Sequence, residues 1–203
     1  MPRSRARSRV PRIVLASTSP YRRELLSRLR VAFDVVRPDI DEAALADEAP
    51  RETALRLAQA KARAVAGTIT DALVIGSDQV ADLDGQALGK PGSHPAALAQ
   101  LELMQGRTIV FHTAVALLDA RSGAIEADCV PTRVRFRSLP RAALDAYLRA
   151  DQPYDCAGAA KIEALGITLV ESVHADDPTA LIGLPLIRLT SMLLRAGIVI
   201  PPR

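Results

Sequence analysis

The chain has 203 residues, of which 49% are apolar and only 3% aromatic, with no Trp, so its core has to be aliphatic. Its formal net charge is +3, and much of the excess lies in residues 1–12, which we interpret as a flexible basic tail before a single domain over 13–203. Two cysteines exclude a disulfide framework, and three scattered histidines argue against a zinc site.

The first third of the chain alternates short apolar runs with helical patterns. Ser19 suits an N-cap and Pro20 suits the first position of a helix, because proline lacks the amide that a helix start leaves unpaired. The predicted elements are a strand over 13–16, a helix from Pro20 with Leu25, Leu26 and Leu29 on one side, a strand over 33–36 and a helix from Pro50 to Gly67.

The rest of the chain adds longer strands. The predicted elements are a strand over 73–76, a hairpin of 80–83 and 86–88 that turns at Asp84-Gly85, a helix over 93–104 capped by Ser93, strands over 108–118 and 125–136, a helix over 140–149, a loop over 155–166, a strand over 167–173 and a helix over 185–196. Alternating strands and helices followed by long antiparallel strands predict a mixed α/β domain.

Hydroxyl groups and two arginines meet where the first strand gives way to a helix, in the stretch IVLASTSPYRRELL. A helix N-terminus carries free amides and a partial positive charge, which suits phosphate, and Arg22 and Arg23 add bidentate contacts to oxyanions. The alternative is an ordinary helix cap with two solvated arginines.

A carboxylate follows the third apolar run, in VIGSDQV. Asp78 suits a catalytic or metal-binding role at the end of a strand, or else it only forms a turn. Lys90, in LGKP, and Lys61, on the long helix, are cations that either bind phosphate or face solvent.

An acidic loop follows the second strand. Its carboxylates, Asp39, Asp41 and Glu42, either repel one another or share a divalent cation, since hard cations prefer oxygen ligands. Cations and carboxylates together indicate a phosphate ester with Mg²⁺. A helix-turn-helix, an aromatic array for base stacking, a Walker loop and a dinucleotide fingerprint are all absent from the sequence.

Five motifs in this order resemble the Maf-like nucleotide pyrophosphatases: LASTSPYRRELL, RLAQAKARAV, VIGSDQVADLDGQALGKP, CAGAAKIEALGITL and LIGLPL. The resemblance covers 13–198 and is stronger to the subgroup that acts on 7-methyl-GTP than to the subgroup that acts on dTTP and UTP. It implies an elongated mixed sheet with flanking helices and a central cleft between two lobes, as in inosine triphosphate pyrophosphatases.

The resemblance also implies an activity. Relatives cleave a nucleoside triphosphate between its α and β phosphates, releasing the monophosphate and diphosphate, and so remove modified nucleotides. They require a divalent cation, Mg²⁺ or Mn²⁺, and are often homodimers. Asp78 matches the proton acceptor of the family, and Asp41 and Asp78 match acidic groups near the metal.

The substrate-binding residues implied by the resemblance fall into two groups. One group contacts the triphosphate: Ser17, Arg22 and Arg23 at the first helix, with Lys61 and Lys90. The other group, Tyr21, Gln79 and Glu163, sets base specificity. Since 7-methylguanine is cationic, an aromatic ring such as that of Tyr21 attracts it, and a carboxylate such as that of Glu163 accepts its N1–H and N2–H while opposing its charge.

Other functions stay open at this point. The chain could hydrolyse dTTP or UTP, bind nucleotides as a regulator of cell division that does not hydrolyse them, or bind nucleic acid through its basic tail; we expect no stable nucleic-acid binding. No apolar run approaches the roughly 20 residues that span a membrane, and the run after the tail is too short for a signal peptide. We therefore expect a cytoplasmic protein without membrane contact.

Overall fold

The computed structural model describes residues 11–202, so the tail predicted over 1–12 lies almost entirely outside the described residues. The strands in this range are β1 (Arg12–Ala16), β2 (Asp34–Val36), β3 (Ala72–Leu83), β4 (Gln86–Leu88), β5 (Thr108–Asp119), β6 (Ile125–Phe136) and β7 (Val170–Ala175). The helices are α1 (Pro20–Ser27), α2 (Pro50–Ala66), α3 (His94–Met104), α4 (Arg141–Asp151) and α5 (Leu186–Arg195). Short 3₁₀ turns form at Ala157–Ala159, Leu165–Leu169 and Ala180–Ile182.

One mixed sheet carries all seven of these strands, in the order β2-β1-β3-β5-β6-β7, with β4 paired to part of β3. Strand β1 is parallel to β2 and β3, whereas the pairs β3–β5, β5–β6 and β6–β7 are antiparallel. The prediction of an α/β fold with a mixed sheet and flanking helices is therefore confirmed.

Three apolar clusters cover the sheet. The first cluster joins α2 to one face of β1, β3 and β5. The second joins α1 and α5 to the opposite face of the same strands, and the third joins α3 and α4 to the far ends of β3, β5 and β6. The buried apolar side chains are mostly aliphatic, as the scarcity of aromatic residues requires.

Helix α2 packs directly on the backbone of β3 at Gly76. A Cβ atom at Gly76 would lie 2.0 Å from the carbonyl oxygen of Ala58 and 2.9 Å from the amide nitrogen of Ala62. Both are backbone atoms of α2, so neither can rotate away. Only glycine therefore lets the helix approach this closely, and the approach brings Lys61 over the strand.

Replacing Gly76 by Ala is expected to lower the free energy of unfolding by about 3 kcal/mol, because the helix has to move away from the strand. Urea denaturation followed by circular dichroism measures the change. Gly67→Ala is the matched control, since its nearest backbone oxygens lie at an ordinary 3.6 Å. Equal stability of the Gly76→Ala variant and the parent would contradict the packing argument.

Three predicted strands have different bounds in the structure. The strand predicted over 73–76 and the one over 80–83 form one continuous β3, so Asp78 lies within a strand and not at its end. Continuous pairing with β5, from Leu73 to Asp82, holds the polar middle of β3 extended. In the strand predicted over 167–173, the first three residues belong to a 3₁₀ turn, because pairing with β6 begins only at Val170.

The predicted turns and caps have mixed outcomes. The Ser19 hydroxyl accepts from the amide of Arg22, which confirms the N-cap of α1. Ser93 occupies the N-cap position of α3 but makes no capping hydrogen bond with its side chain, so that part of the prediction was wrong. The hairpin turns at Asp84-Gly85, both in the left-handed region, as predicted. No helix among residues 11–202 combines the length and apolar character that a membrane crossing needs.

Candidate active site

The edge of β3 that faces β1 is only partly covered. Strand β1 pairs with β3 as far as Gly76, and β4 pairs with it only from Ala81 onward. Residues 77–80 consequently have no strand beside them on this edge in the part of the chain that the structure describes. Helix α1 starts four residues after β1 ends, so its first turn lies beside this gap.

A buried ion pair lies in the gap. The Lys61 ammonium, on α2, contacts Asp78 Oδ1 at 2.6 Å and Glu42 Oε1 at 2.9 Å. The side chains of Lys61 and Asp78 are only 5% and 10% exposed, whereas that of Glu42 is 51% exposed. The pair therefore has a closed side toward the sheet and an open side at Glu42.

Glu42 takes the place that we predicted for Asp41. Asp41 is exposed, and its Oδ1 accepts from the amide of Ala43 at 2.9 Å. Burial alone would raise the pKa of Glu42, but Lys61, Lys90 and Arg22 together outweigh burial and hold it below its usual value. The structure therefore gathers Glu42, and not Asp41, with the predicted cations.

Arg22 reaches the same group from the first turn of α1. Its Nε donates to the carbonyl oxygen of Gly183 at 2.9 Å, and the Ser77 hydroxyl donates to that oxygen at 2.9 Å. Burial lowers the pKa of Arg22, and the carboxylates of Asp78 and Glu42 oppose this shift. Arg22 is thus a fixed cation next to both carboxylates.

The remaining phosphate-binding candidates differ in their surroundings. Ser17 is buried, and its hydroxyl accepts from the amide of Ser19 at 3.1 Å. Lys90 is exposed and close enough to Glu42 to lower its pKa. Arg23 is exposed and lines a separate groove of about 850 Å³ between α1 and β2. The structure therefore does not bring Arg23 to the ion pair, although it follows Arg22 in sequence.

Two of the predicted specificity residues, Tyr21 and Glu163, both lie near Cys156. Burial raises the pKa of Tyr21, and Lys161, which faces the Tyr21 hydroxyl, opposes the rise. Cys156 lies near enough to influence Tyr21, and burial together with the carboxylates of Asp155 and Glu163 raises the pKa of Cys156 to about 12. Tyr21 and the exposed Glu163 thus flank the segment that follows α4.

Gln79 makes different contacts from those expected of a base-binding residue. Because side chains alternate along a strand, Gln79 points to the face opposite Asp78. Its Nε2 lies 2.9 Å from Thr113 Oγ1 and 3.0–3.1 Å from the carbonyl oxygens of Ala180 and Leu181. These contacts tie the turn before Gly183 to the sheet, and a direct contact between Gln79 and substrate stays a prediction.

Sequence reasoning missed two carboxylates with defined roles. Asp177 is 2% exposed and accepts from the amides of Thr179 and Ile187, so it caps the start of α5. Glu48 pairs with Arg56 and fixes the acidic loop. Neither had a local signal in the sequence, because Asp177 lies nine residues before α5 and Glu48 lies in an irregular loop.

The residues present suit a divalent cation only in part. No group of three or more His, Cys, Asp or Glu side chains with metal-binding geometry occurs among residues 11–202. Two carboxylates, Asp78 and Glu42, do converge on one ammonium nitrogen. Mg²⁺ is usually held by one or two carboxylates, with water molecules or substrate phosphate oxygens as its other ligands, so this pair fits such a cation.

Comparison with known proteins identifies the relatives of the chain. A protein-family model described as "Maf-like protein" matches residues 12–196. A protein of Paraburkholderia xenovorans called 7-methyl-GTP pyrophosphatase is 64% identical over 193 residues, 94% of each chain. Proteins of the same name from Cupriavidus metallidurans and Albidiferax ferrireducens are 61% and 56% identical, each over 92% of this chain and 94% of the relative. The chain therefore belongs to the Maf-like protein family, as its motifs predicted.

Proposed function

We propose that the chain hydrolyses nucleoside triphosphates between the α and β phosphates, releasing a nucleoside monophosphate and diphosphate, and that 7-methyl-GTP is its preferred substrate. The observation that carries the proposal is the buried Lys61–Asp78 pair, which faces Glu42 and Arg22 beside an uncovered edge of the sheet. The similarity to proteins called 7-methyl-GTP pyrophosphatase supports both the reaction and the substrate.

In this reaction the oxygen of a water molecule forms a bond to the α-phosphorus. The bond from that phosphorus to the oxygen bridging the α and β phosphates breaks, and diphosphate leaves with the electron pair. Lys61 contacts Asp78 Oδ1, and no protein group within residues 11–202 donates a hydrogen bond to Oδ2. Asp78 Oδ2 therefore orients the water and accepts its proton.

The cations around Asp78 stabilise the leaving group. Lys61, Lys90 and Arg22 lie around Glu42, where they can neutralise charge that develops on diphosphate. A bound Mg²⁺ or Mn²⁺ would supply further neutralisation and polarise the phosphate oxygens, and Asp78 and Glu42 are the residues that would hold it.

Diphosphate release from a panel of nucleotides tests the proposal. We expect the fastest release from 7-methyl-GTP with added Mg²⁺ or Mn²⁺. Release from dTTP or UTP alone would place the chain with the other subgroup, and nucleotide binding without release would indicate a regulator. Salt-sensitive binding of nucleic acid that is lost on removing residues 1–12 would indicate the remaining alternative.

The charge of the base explains the preference for 7-methyl-GTP. Asp155 and Glu163 place negative charge around Cys156, and Lys161 offsets part of it. Tyr21 adds an aromatic ring beside this segment. A cationic base is attracted by both features, whereas an uncharged pyrimidine is not. This environment supports the selection of 7-methylguanine.

Replacing Glu163 by Gln is expected to lower kcat/KM for 7-methyl-GTP by about tenfold, equivalent to about 1.4 kcal/mol, because the amide keeps the shape but loses the charge. A smaller change is expected with dTTP. Glu171→Gln, an exposed change on β7, is the matched control. An equal loss with both nucleotides would show that Glu163 does not select the base.

We also infer a homodimer in the cytoplasm, without stable binding of nucleic acid. The resemblance to Maf-like enzymes supports the dimer, and a nucleotide substrate is consistent with this location. Light scattering after gel filtration tests the oligomeric state, and a mass of one chain would refute the dimer.

A further inference from the structure

The loop that carries Glu42 has little secondary structure to hold it. Between β2 and α2 the chain forms neither helix nor strand, and most of its residues are exposed. Glu42 nevertheless lies 2.9 Å from the buried ammonium of Lys61. Some contact outside the loop has to keep the carboxylate there, because a free loop would pay the entropy of ordering at each binding event.

Arg56 supplies this contact. It lies on α2, five residues before Lys61, and its Nε and Nη2 contact Glu48 Oε1 and Oε2 at 2.6 and 2.7 Å. This is a bidentate arginine–carboxylate pair, whose planar geometry fixes direction as well as distance. The Nη2 atom also donates to the carbonyl oxygen of Ala43 at 3.0 Å. Arg56 therefore holds the residue next to Glu42 directly.

Glu48 joins the loop to the start of α2. Its Oε2 accepts from the hydroxyl of Thr53 at 2.9 Å and from the amide of Leu45 at 3.3 Å. The Glu48 side chain is only 10% exposed, and Arg56 above all holds its pKa at about 2, so the pair stays charged at neutral pH. One helix thus carries both the cation that Glu42 contacts and the arginine that positions its loop.

We propose that Arg56 is a positioning residue: through Glu48 and Ala43 it holds Glu42 at the cation site and thereby sets the affinity for the divalent metal. The inference takes its metal from the proposed function. It differs from a general stabilising role, because it predicts an effect on metal affinity that other arginines of α2 do not share.

Titration of the full-length chain with Mn²⁺ alone, followed by electron paramagnetic resonance, tests the inference. Arg56→Gln is expected to weaken Mn²⁺ binding by about tenfold, as loss of a residue that orients a metal ligand typically does. The Mg²⁺ concentration for half-maximal turnover should rise by a similar factor, with kcat at saturating Mg²⁺ largely retained. Arg56→Lys, which keeps the charge but not the planar fork, should give a smaller loss.

Two further variants make the test specific. Glu48→Gln should weaken Mn²⁺ binding as Arg56→Gln does, and the double variant should lose little more than either single variant, because the two residues act as one unit. Arg63→Gln is the matched control, since Arg63 is exposed on the same helix. Its Mn²⁺ affinity should equal that of the parent.

Several outcomes would overturn the inference: unchanged Mn²⁺ affinity in the Arg56→Gln and Glu48→Gln variants, an equal loss in Arg63→Gln, or a parent chain that binds no Mn²⁺. Urea denaturation of each variant shows whether it is folded. The failure of the proposed reaction would look different. If no chain, parent or variant, released diphosphate but the Arg56→Gln variant bound Mn²⁺ more weakly than the parent, the positioning role would be supported and the reaction refuted.

Discussion

Asp78→Asn is expected to lower kcat by about 10³-fold while the chain stays folded, because an amide cannot accept the proton of the attacking water. The side chain keeps its size, and Lys61 retains its contact with Glu42. Diphosphate release from 7-methyl-GTP, measured at saturating nucleotide and metal, gives kcat directly. Circular dichroism and the urea midpoint establish that the variant is folded.

Asp82→Asn is the matched control for that experiment. Asp82 lies four residues further along β3 and points to the same face as Asp78. Its Oδ2 lies 3.1 Å from His112 Nε2, away from the lysine and arginine of the site. We expect kcat of this variant to equal that of the parent. Normal turnover by Asp78→Asn, or an equal loss of kcat in both variants, would show that Asp78 is not the proton acceptor.

Most elements of this fold were predictable because they repeat a simple pattern. Apolar runs and helical stripes located β1, α1 and α2, and the Asp84-Gly85 signal located a hairpin. The prediction failed where tertiary contacts determine the backbone conformation. Ser77 and Asp78 interrupt an apolar run. Pairing with β5 keeps this part of β3 extended, and their side chains find partners on other elements, Gly183 and Lys61.

The candidate site was also predictable only in part. The burial of Lys61 could have been predicted from periodicity, since Leu57 and Val65 lie one turn before and after it on the same side of α2, although our prediction left solvent exposure open. The position of Glu42 had no such signal. It depends on an irregular loop and on an arginine fourteen residues away, and neither follows from local sequence.

Lys61→Met is expected to lower the free energy of unfolding by about 3–5 kcal/mol, because it leaves the buried carboxylate of Asp78 without its ammonium partner. Glu42 adds less to the loss, since its side chain is half exposed. Urea denaturation gives the free energy, and diphosphate release should fall as well because a cation near the leaving group is lost. Lys90→Met, at an exposed lysine, is the stability control, with a change of no more than about 0.5 kcal/mol.

The double variant Lys61→Met with Asp78→Asn separates the two parts of that cost. Removing both charges takes away the unpaired carboxylate, so the double variant should regain much of the stability that Lys61→Met loses. The experiment thus separates stability from activity, because the double variant should be more stable than Lys61→Met and still inactive. If the double variant instead lost as much stability as the two single variants together, the contact between Lys61 and Asp78 would contribute no coupling energy to the fold. Lys61 would then act in the site only through the substrate.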